Sequence, residues 1–436
     1  MTIDQDAPPA GSAKDAVRLH STREGLPEGA GYSGAANSPL TRATIFLFAV
    51  ASGLAVANAY FAHPLLDVMA DDLNLSRTVA GLIVGATQLG YGLGLILLVP
   101  LGDLVDRRKL IIVQSLLSAA ALVCVGFSTS AAMLLASMAA VGFLAVVTQA
   151  LVAYAASLAH PAERGHIVGM VTSGIVLGIL LARSVAGTLT DLSGWRTVYI
   201  VSAVLTLVIA LLLWRTLPRQ QRPKGSLSYF GLIRSLGTLL VEEPVLRIRA
   251  VIAMLIFANI TTLLAPLVLP LTAPPYSLSH TEVGLFGLAG AAGALGAIRA
   301  GRWADRGHGQ RTTGIALALM LFAWLPISML DRSILWLIIG VLVIDFGLQA
   351  THVTNQGMIY RIRPDAQNRL TAAYMVFYSI GSALGSSTST IIYAHAGWTG
   401  VCLSGAAISL ATFLFWALTL RATPEAATQS VDRVCV

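Results

Sequence analysis

Two charged turns about two hundred residues apart, each set between long apolar runs, constrain this chain more than any other feature. The first is PLGDLVDRRK, from Pro100 to Lys109, and the second is GRWADRGHGQR, from Gly301 to Arg311. In both, an apolar run ends at a glycine and an Asp-Arg pair follows four residues later: Gly102 with Asp106 and Arg107, Gly301 with Asp305 and Arg306. A run of about twenty apolar residues crosses the hydrocarbon layer as a helix, and a compact basic turn between two such runs marks a tight loop on the Lys/Arg-rich side. Composition agrees. Of 436 residues, 56% are hydrophobic and only 11% charged, whereas soluble globular proteins carry about 25% charged residues. The chain reads as an all-α polytopic membrane protein.

Several function classes fall away. The net charge of +7 does not indicate a nucleic-acid partner, because the basic residues are dispersed over short loops and not gathered on one face. Cys124, Cys402 and Cys435 are an odd number without metal spacing, so neither a disulfide framework nor a metal site follows. An ATP-driven pump needs G-x-x-x-x-G-K-[ST], but Lys14, Lys109 and Lys224 are the only lysines and none precedes Ser or Thr. GYGLG, Gly90 to Gly94, resembles a dinucleotide loop but lies inside an apolar run, where glycines serve packing. A membrane-embedded enzyme is the competing class; neither H-E-x-x-H nor G-x-S-x-G occurs. No cofactor is implied.

Residues 1–41, rich in Pro, Gly, Ser and mixed charge, read as a mobile tail, with no short apolar core and cleavage site of a secretory signal. Six runs follow, near Ala43–Pro64, Val79–Leu101, Leu110–Phe127, Ala131–Leu158, Ile167–Leu189 and Thr197–Trp214. Six more lie near Ala250–Leu271, Val283–Ala300, Thr312–Leu330, Ile334–Ile359, Leu370–His395 and Trp398–Leu420. They are called spans 1 to 12 below. The organisation expected is a tail (1–41), a six-span half (42–216), a cytoplasmic linker (217–249), a second half (250–421) and a second tail (422–436). Loops on one side hold only Arg77, Arg196 and Arg332. The other side holds Arg107, Arg108, Lys109, Arg219, Arg222, Lys224, Arg302, Arg306, Arg311, Arg361 and Arg363. Basic residues are retained in the cytoplasm, which puts both termini there.

The halves repeat beyond the charged turns. Ala57-Asn58 matches Ala258-Asn259, Leu75-Ser76 matches Leu278-Ser279, Gly81 matches Gly284, Gly142-Phe143 lines up with Asp345-Phe346, and Pro161 matches Pro364. Parallel six-span repeats place a substrate site near the midplane between the halves.

The two turns resemble the loop signature of the major facilitator superfamily, G-x-x-x-D-R-x-G-R-R between helices 2 and 3, repeated in weaker form between helices 8 and 9. After Arg107 this chain reads RKLI and lacks the later glycine, so the signature is abbreviated. The resemblance, covering about Thr41 to Leu420, implies a twelve-helix transporter of two pseudo-symmetric halves that works by alternating access on a small-molecule substrate. It implies a protein of the bacterial inner membrane, acting as a monomer in the lipid bilayer. It further implies that spans 1, 4, 7 and 10 line a cavity, that spans 3, 6, 9 and 12 face lipid, and that Gly102, Asp106 and Arg107, with Gly301, Asp305 and Arg306, latch the inner side. NAYFAHPLL from Asn58 and TQLGYGLGL from Thr87 are most similar to bacterial sugar-efflux and drug-efflux permeases, which implies a proton-coupled antiporter. GIVLGILLARSVAG looks like the span 5 motif of superfamily antiporters, but Ala182 and Arg183 stand where Gly-Pro is usual, and span 4 lacks the arginine of many proton-driven exporters. Passive or proton-symport uptake therefore stays open beside efflux.

The residues themselves nominate a pathway. Span 6 has no strongly polar residue in its centre, whereas span 10 carries Asp345, Gln349, His352 and Gln356 at i, i+4, i+7 and i+11, one stripe of a helix. Polar residues inside a span face a bundle interior or a water-filled path. Span 1 adds Asn58, Tyr60 and His63, span 4 adds Gln149 and Tyr154, and span 7 adds Asn259. Asn and Gln also bridge neighbouring helices at about 0.6 kcal/mol each, so packing and ligand contact both remain open for Asn58, Gln149 and Asn259. Asp345 is the leading protonatable group, with His352 as relay and Asp67, Glu282 and His63 as substitutes. Arg183 has three readings: binding an anionic substrate group, pairing with a carboxylate such as Asp67, or reaching toward the headgroups.

Overall fold

The computed structural model describes residues 41–159, 163–218, 228–290, 293, 300, 302–363 and 367–422, and among these every regular element is helical. Ten stretches are long and apolar enough to cross a membrane. Six fall in the first half: Arg42–Asp72, Val79–Gly102, Arg107–Gly126, Ala131–Leu158, His166–Ser193 and Trp195–Thr216. Four fall in the second: Pro244–Thr272, Arg306–Ile327, Ile334–Tyr360 and Arg369–Ala422. The last, 54 residues long, would be about 80 Å as one straight helix, far more than a bilayer needs. It turns at Gly397, whose φ of +60° is a conformation that glycine adopts without steric cost. It is therefore two passes, spans 11 and 12. Span 8 is described only in part: a helix His280–Leu285, a 3-10 turn Phe286–Ala289, then Gly290, Gly293 and Ala300. The tails at 1–40 and 423–436, Gly301, the side chain of Asp305, Pro161 and Pro364 lie outside the described residues.

The repeat is legible in the caps. The Ser76 and Ser279 side chains accept from Val79 N and Glu282 N, and the Ser130 and Ser333 side chains from Met133 N and Leu335 N, so each pair caps corresponding helices of the two halves. Each side chain satisfies an amide that the first helical turn leaves without a partner. The linker holds a helix that apolar run length did not announce, Tyr229–Glu242. Its Leu232, Leu236 and Leu239, one stripe, are buried, and Leu239 packs with Leu246, Ile359, Leu370 and Tyr374 of the second half. Span 7 begins directly after it at Pro244, where a missing N–H costs a helix nothing.

Backbone proximity sets the packing. In the first half a Cβ added to Gly178 of span 5 would lie 2.2 Å from the carbonyl oxygen of Gly53 in span 1, and one added to Gly142 of span 4 would lie 1.8 Å from that of Thr87 in span 2. Between the halves, span 5 meets span 8: a Cβ on Gly187 would lie 2.1 Å from the His280 carbonyl oxygen, and the Ser184 hydroxyl donates to the Gly284 carbonyl at 3.1 Å. These cross-half contacts lie at the end opposite the Gly102–Arg107 turn, called the far end below; the turn lies at the basic end.

Candidate functional site

The halves part toward the basic end. A cavity of about 370 Å³ opens there, lined by Leu98, Arg107 and Gln149 from the first half and by Tyr360, Thr371 and Ala372 from the second. Arg107 turns back onto its own half, donating from Nε to the Gly102 carbonyl at 3.0 Å and from Nη1 to the Ala153 carbonyl at 3.3 Å. Asp106 caps span 3, accepting from Arg108 N at 2.9 Å. An added Cβ on Gly102 would meet only Leu110, at 3.8 Å, so in this open state the turn does not press on span 11.

Above the cavity the two halves are joined by rings. Gln149 Nε2 donates to Tyr91 Oη at 3.4 Å, and Tyr91 packs edge-on against Tyr378 at a centroid distance of 6.3 Å. Tyr378 also packs on Phe257 and is hydrogen-bonded through its hydroxyl to Tyr60 of span 1. Phe257 meets His352, whose Nδ1 lies 3.0 Å from Tyr374 Oη. Tyr60 stacks on His63 at 5.6 Å, and neither His63 ring nitrogen has a partner. The cluster is a wall of phenols, imidazoles and one phenyl ring that joins the two halves.

Asp345, 7% exposed, sits nearer the far end on span 10. A Cβ on Gly290 of span 8 would lie 3.9 Å from its Oδ2, while Gly293 abuts the Gln349 side chain and Gly287 abuts the Arg183 side chain. Arg183 of span 5 is the electrostatic neighbour of Asp345. Among the described residues no ion pair within 4.0 Å joins them, and Arg183 Nε is buried without a partner. Asp67 lies elsewhere, against His280.

The nominated residues therefore do not form one surface. Gln149 reaches the cavity; Tyr60, His63 and His352 join the ring wall; Asp345, Gln349 and Arg183 cluster along span 8. Gln356 is half-buried further along span 10. Asn58 accepts from Ser202 of span 6, and Asn259 donates to the Gly405 carbonyl and to Ser409 Oγ of span 12, at 2.8 and 2.6 Å. Tyr154 packs on Phe48 and donates to the Pro218 carbonyl. Arg249, fully buried, donates from Nη1 to Thr313 Oγ1 and Asn355 Oδ1. Sequence reasoning did not select Tyr378, Arg249 or His280. His280 does occupy the position after Ser279 that Arg77 occupies after Ser76, and Ser279 to Glu282 spells a capping box.

The profile of the Major Facilitator Superfamily matches residues 45–347 and 250–433. The chain belongs to the major facilitator superfamily. Over 380 residues it is 49% identical to the protein described as "Putative uncharacterized transporter YgaY" of Escherichia coli K12, covering 87% of this chain and 96% of that one. It is 31% identical to the probable transporter SCO4007 of Streptomyces coelicolor, over 86% of each. Among solved structures, a bacterial homolog of the human lysosomal transporter Spinster, inward-facing and occupied, superposes with a TM-score of 0.69 at 14% identity, covering 88% of this chain and 97% of that one. As a superfamily member the chain is an integral membrane transporter of a small molecule, not an enzyme.

Proposed function

We propose that the protein is a proton-coupled efflux permease of the bacterial cytoplasmic membrane, working as a monomer by alternating access between its two halves. Asp345 carries the coupling proton, His352 relays it, and the ring wall with Gln149 forms the substrate path. Base distribution supports cytoplasmic placement of the basic end and of both termini, which makes the described conformation inward-facing. Asp106 and Arg107, with Asp305 and Arg306, latch that side when it closes.

The observation that carries this reading is a carboxylate buried inside a span, beside an arginine but not ion-paired with it. A charged side chain at the bilayer centre costs about 2.5–3.5 kcal/mol on insertion scales. Protonation removes that cost, so an access state that changes what surrounds the carboxylate changes the cost of holding its charge there. A group whose protonation differs between two states shifts the equilibrium between them.

Uptake into inverted vesicles, with and without an imposed pH gradient, tests this for the wild type and for Asp345→Asn. Gradient-driven accumulation in the wild type, lost in the variant, is expected. Accumulation indifferent to the gradient would show passive facilitation. Gradient-driven accumulation that survives in Asp345→Asn would move the proton to another group.

A further inference from the structure

One imidazole bridges the two halves at the far end. Asp67 follows span 1 and Asp191 ends span 5, both in the first half, while His280 opens span 8 in the second. His280 Nε2 lies 3.1 and 3.2 Å from the two oxygens of Asp67, and Nδ1 lies 3.1 Å from Asp191 Oδ1. Asp191 also accepts from the amides of His280 and Thr281, at 3.2 and 2.7 Å, and from the Thr281 hydroxyl. The backbone bonds hold whatever the protonation state. The ring bonds do not. A neutral imidazole has one N–H donor and one acceptor nitrogen, and a carboxylate only accepts. With both nitrogens on carboxylates, this geometry needs the doubly protonated ring.

We propose that closure of the far end takes up one proton at His280 from the solution on that side and returns it there on opening, so that external pH sets the access equilibrium through a proton that never crosses the membrane. The designation of that side as external rests on the orientation given above; the proton linkage does not. A surface depression lined by Asp71, Asp72, Arg196 and His280 connects the imidazole to that solution.

Other groups near this corner are already occupied or lie deeper. Glu282, on the same helix, accepts from Ser279 N. Asp72 pairs with Arg196. His63 of the adjoining 3-10 turn and Arg183 of span 5 lie in the interior, and Asp71 is exposed at the rim. Hydrogen bonding to Asp67, followed by the charges of Asp67 and Asp191, raises the His280 pKa against the opposing effect of burial. The folded-state value lies above the ordinary one. The closing contribution is therefore complete below the ordinary histidine value and lost as pH rises through the raised value.

Spin labels at Leu192→Cys and Asp331→Cys, exposed far-end positions in opposite halves, report the opening by double electron–electron resonance on full-length protein in nanodiscs, with Cys124, Cys402 and Cys435 replaced. Between the two values a single linked proton changes the closed-to-open ratio up to tenfold per pH unit. The expected result is a closed-to-open ratio that falls as pH rises from 5.5 to 8.5. His280→Gln should shrink this response to whatever Asp345 supplies, and Asp67→Asn should move the His280-dependent midpoint to lower pH. Asp345→Asn, which tests the separate transported proton, should leave the His280-dependent part of the response in place. A wild-type distribution unchanged across that range, or a His280→Gln response equal to the wild type in protein of normal monodispersity, overturns the proposal. A response lost in Asp345→Asn but kept in His280→Gln overturns it too.

Discussion

Adding one methyl group at Gly187 should change which way the transporter faces without unfolding it. The Cβ would lie 2.1 Å from the carbonyl oxygen of His280, whereas ordinary contact begins near 3.4 Å, so span 8 must retreat by about 1.3 Å at a backbone position that no rotamer can relieve. Overpacking of this kind costs about 1–3 kcal/mol. Because the contact joins the two halves, the cost falls on the far-end-closed conformation alone, and the closed-to-open ratio should drop by roughly 5- to 150-fold. Gly178→Ala is the control. Its Cβ would lie 2.2 Å from the Gly53 carbonyl oxygen, a similar clash within one half, present in every access state. That variant should lower the melting temperature and leave the access equilibrium alone. The far-end distance distribution and the thermal transition, measured on the same preparations, separate the two. If Gly187→Ala melts early with an unshifted distance distribution, or Gly178→Ala opens the far end, the assignment of these contacts to one conformation or to all of them is wrong.

Other consequences are open to direct measurement. Reporter fusions at Gln220 and Glu425 should both report cytoplasm, and a periplasmic signal at either refutes the orientation. Asp106→Asn or Arg107→Ala should insert at normal levels but slow transport several-fold, because Arg107 can no longer exchange its Gly102 and Ala153 carbonyls for the closing contact; wild-type rates would remove the latch. Asn58→Ala should cost about 0.6 kcal/mol of stability through the lost Ser202 bond and keep transport. A transport defect at normal stability would return Asn58 to the substrate path.

The fold was legible because it is written in run length. A span needs about twenty apolar residues, and a duplicated pattern states the architecture twice, so Gly102-Asp106-Arg107 with its second copy was enough to name the family. Polar residues were harder to place. Asn58 and Asp345 are both polar residues inside apolar helices, and nothing in their spacing says that the first turns to span 6 while the second turns to span 8. The decisive contacts are with residues distant in sequence, Ser202 and Gly290. His280 escaped notice for the opposite reason. It stands at a helix start at the end of a span, where a histidine is ordinary until Asp67 and Asp191, 213 and 89 positions away, are seen on its two nitrogens.

The close approach of Gly142 to Thr87 bears on how the two halves share the motion. In the repeat, Gly142 is the counterpart of Asp345. Where the first half seats span 4 against the backbone of span 2, the second half has a carboxylate on span 10 that needs room beside span 8. A motion that changes the span 8–span 10 separation acts directly on the ionisable group, because a Cβ on Gly293 would lie 3.0 Å from the Asp345 carbonyl oxygen. The span 2–span 4 seam, where a Cβ on Gly142 would lie 1.8 Å from the Thr87 carbonyl oxygen, carries no charge at the matching position.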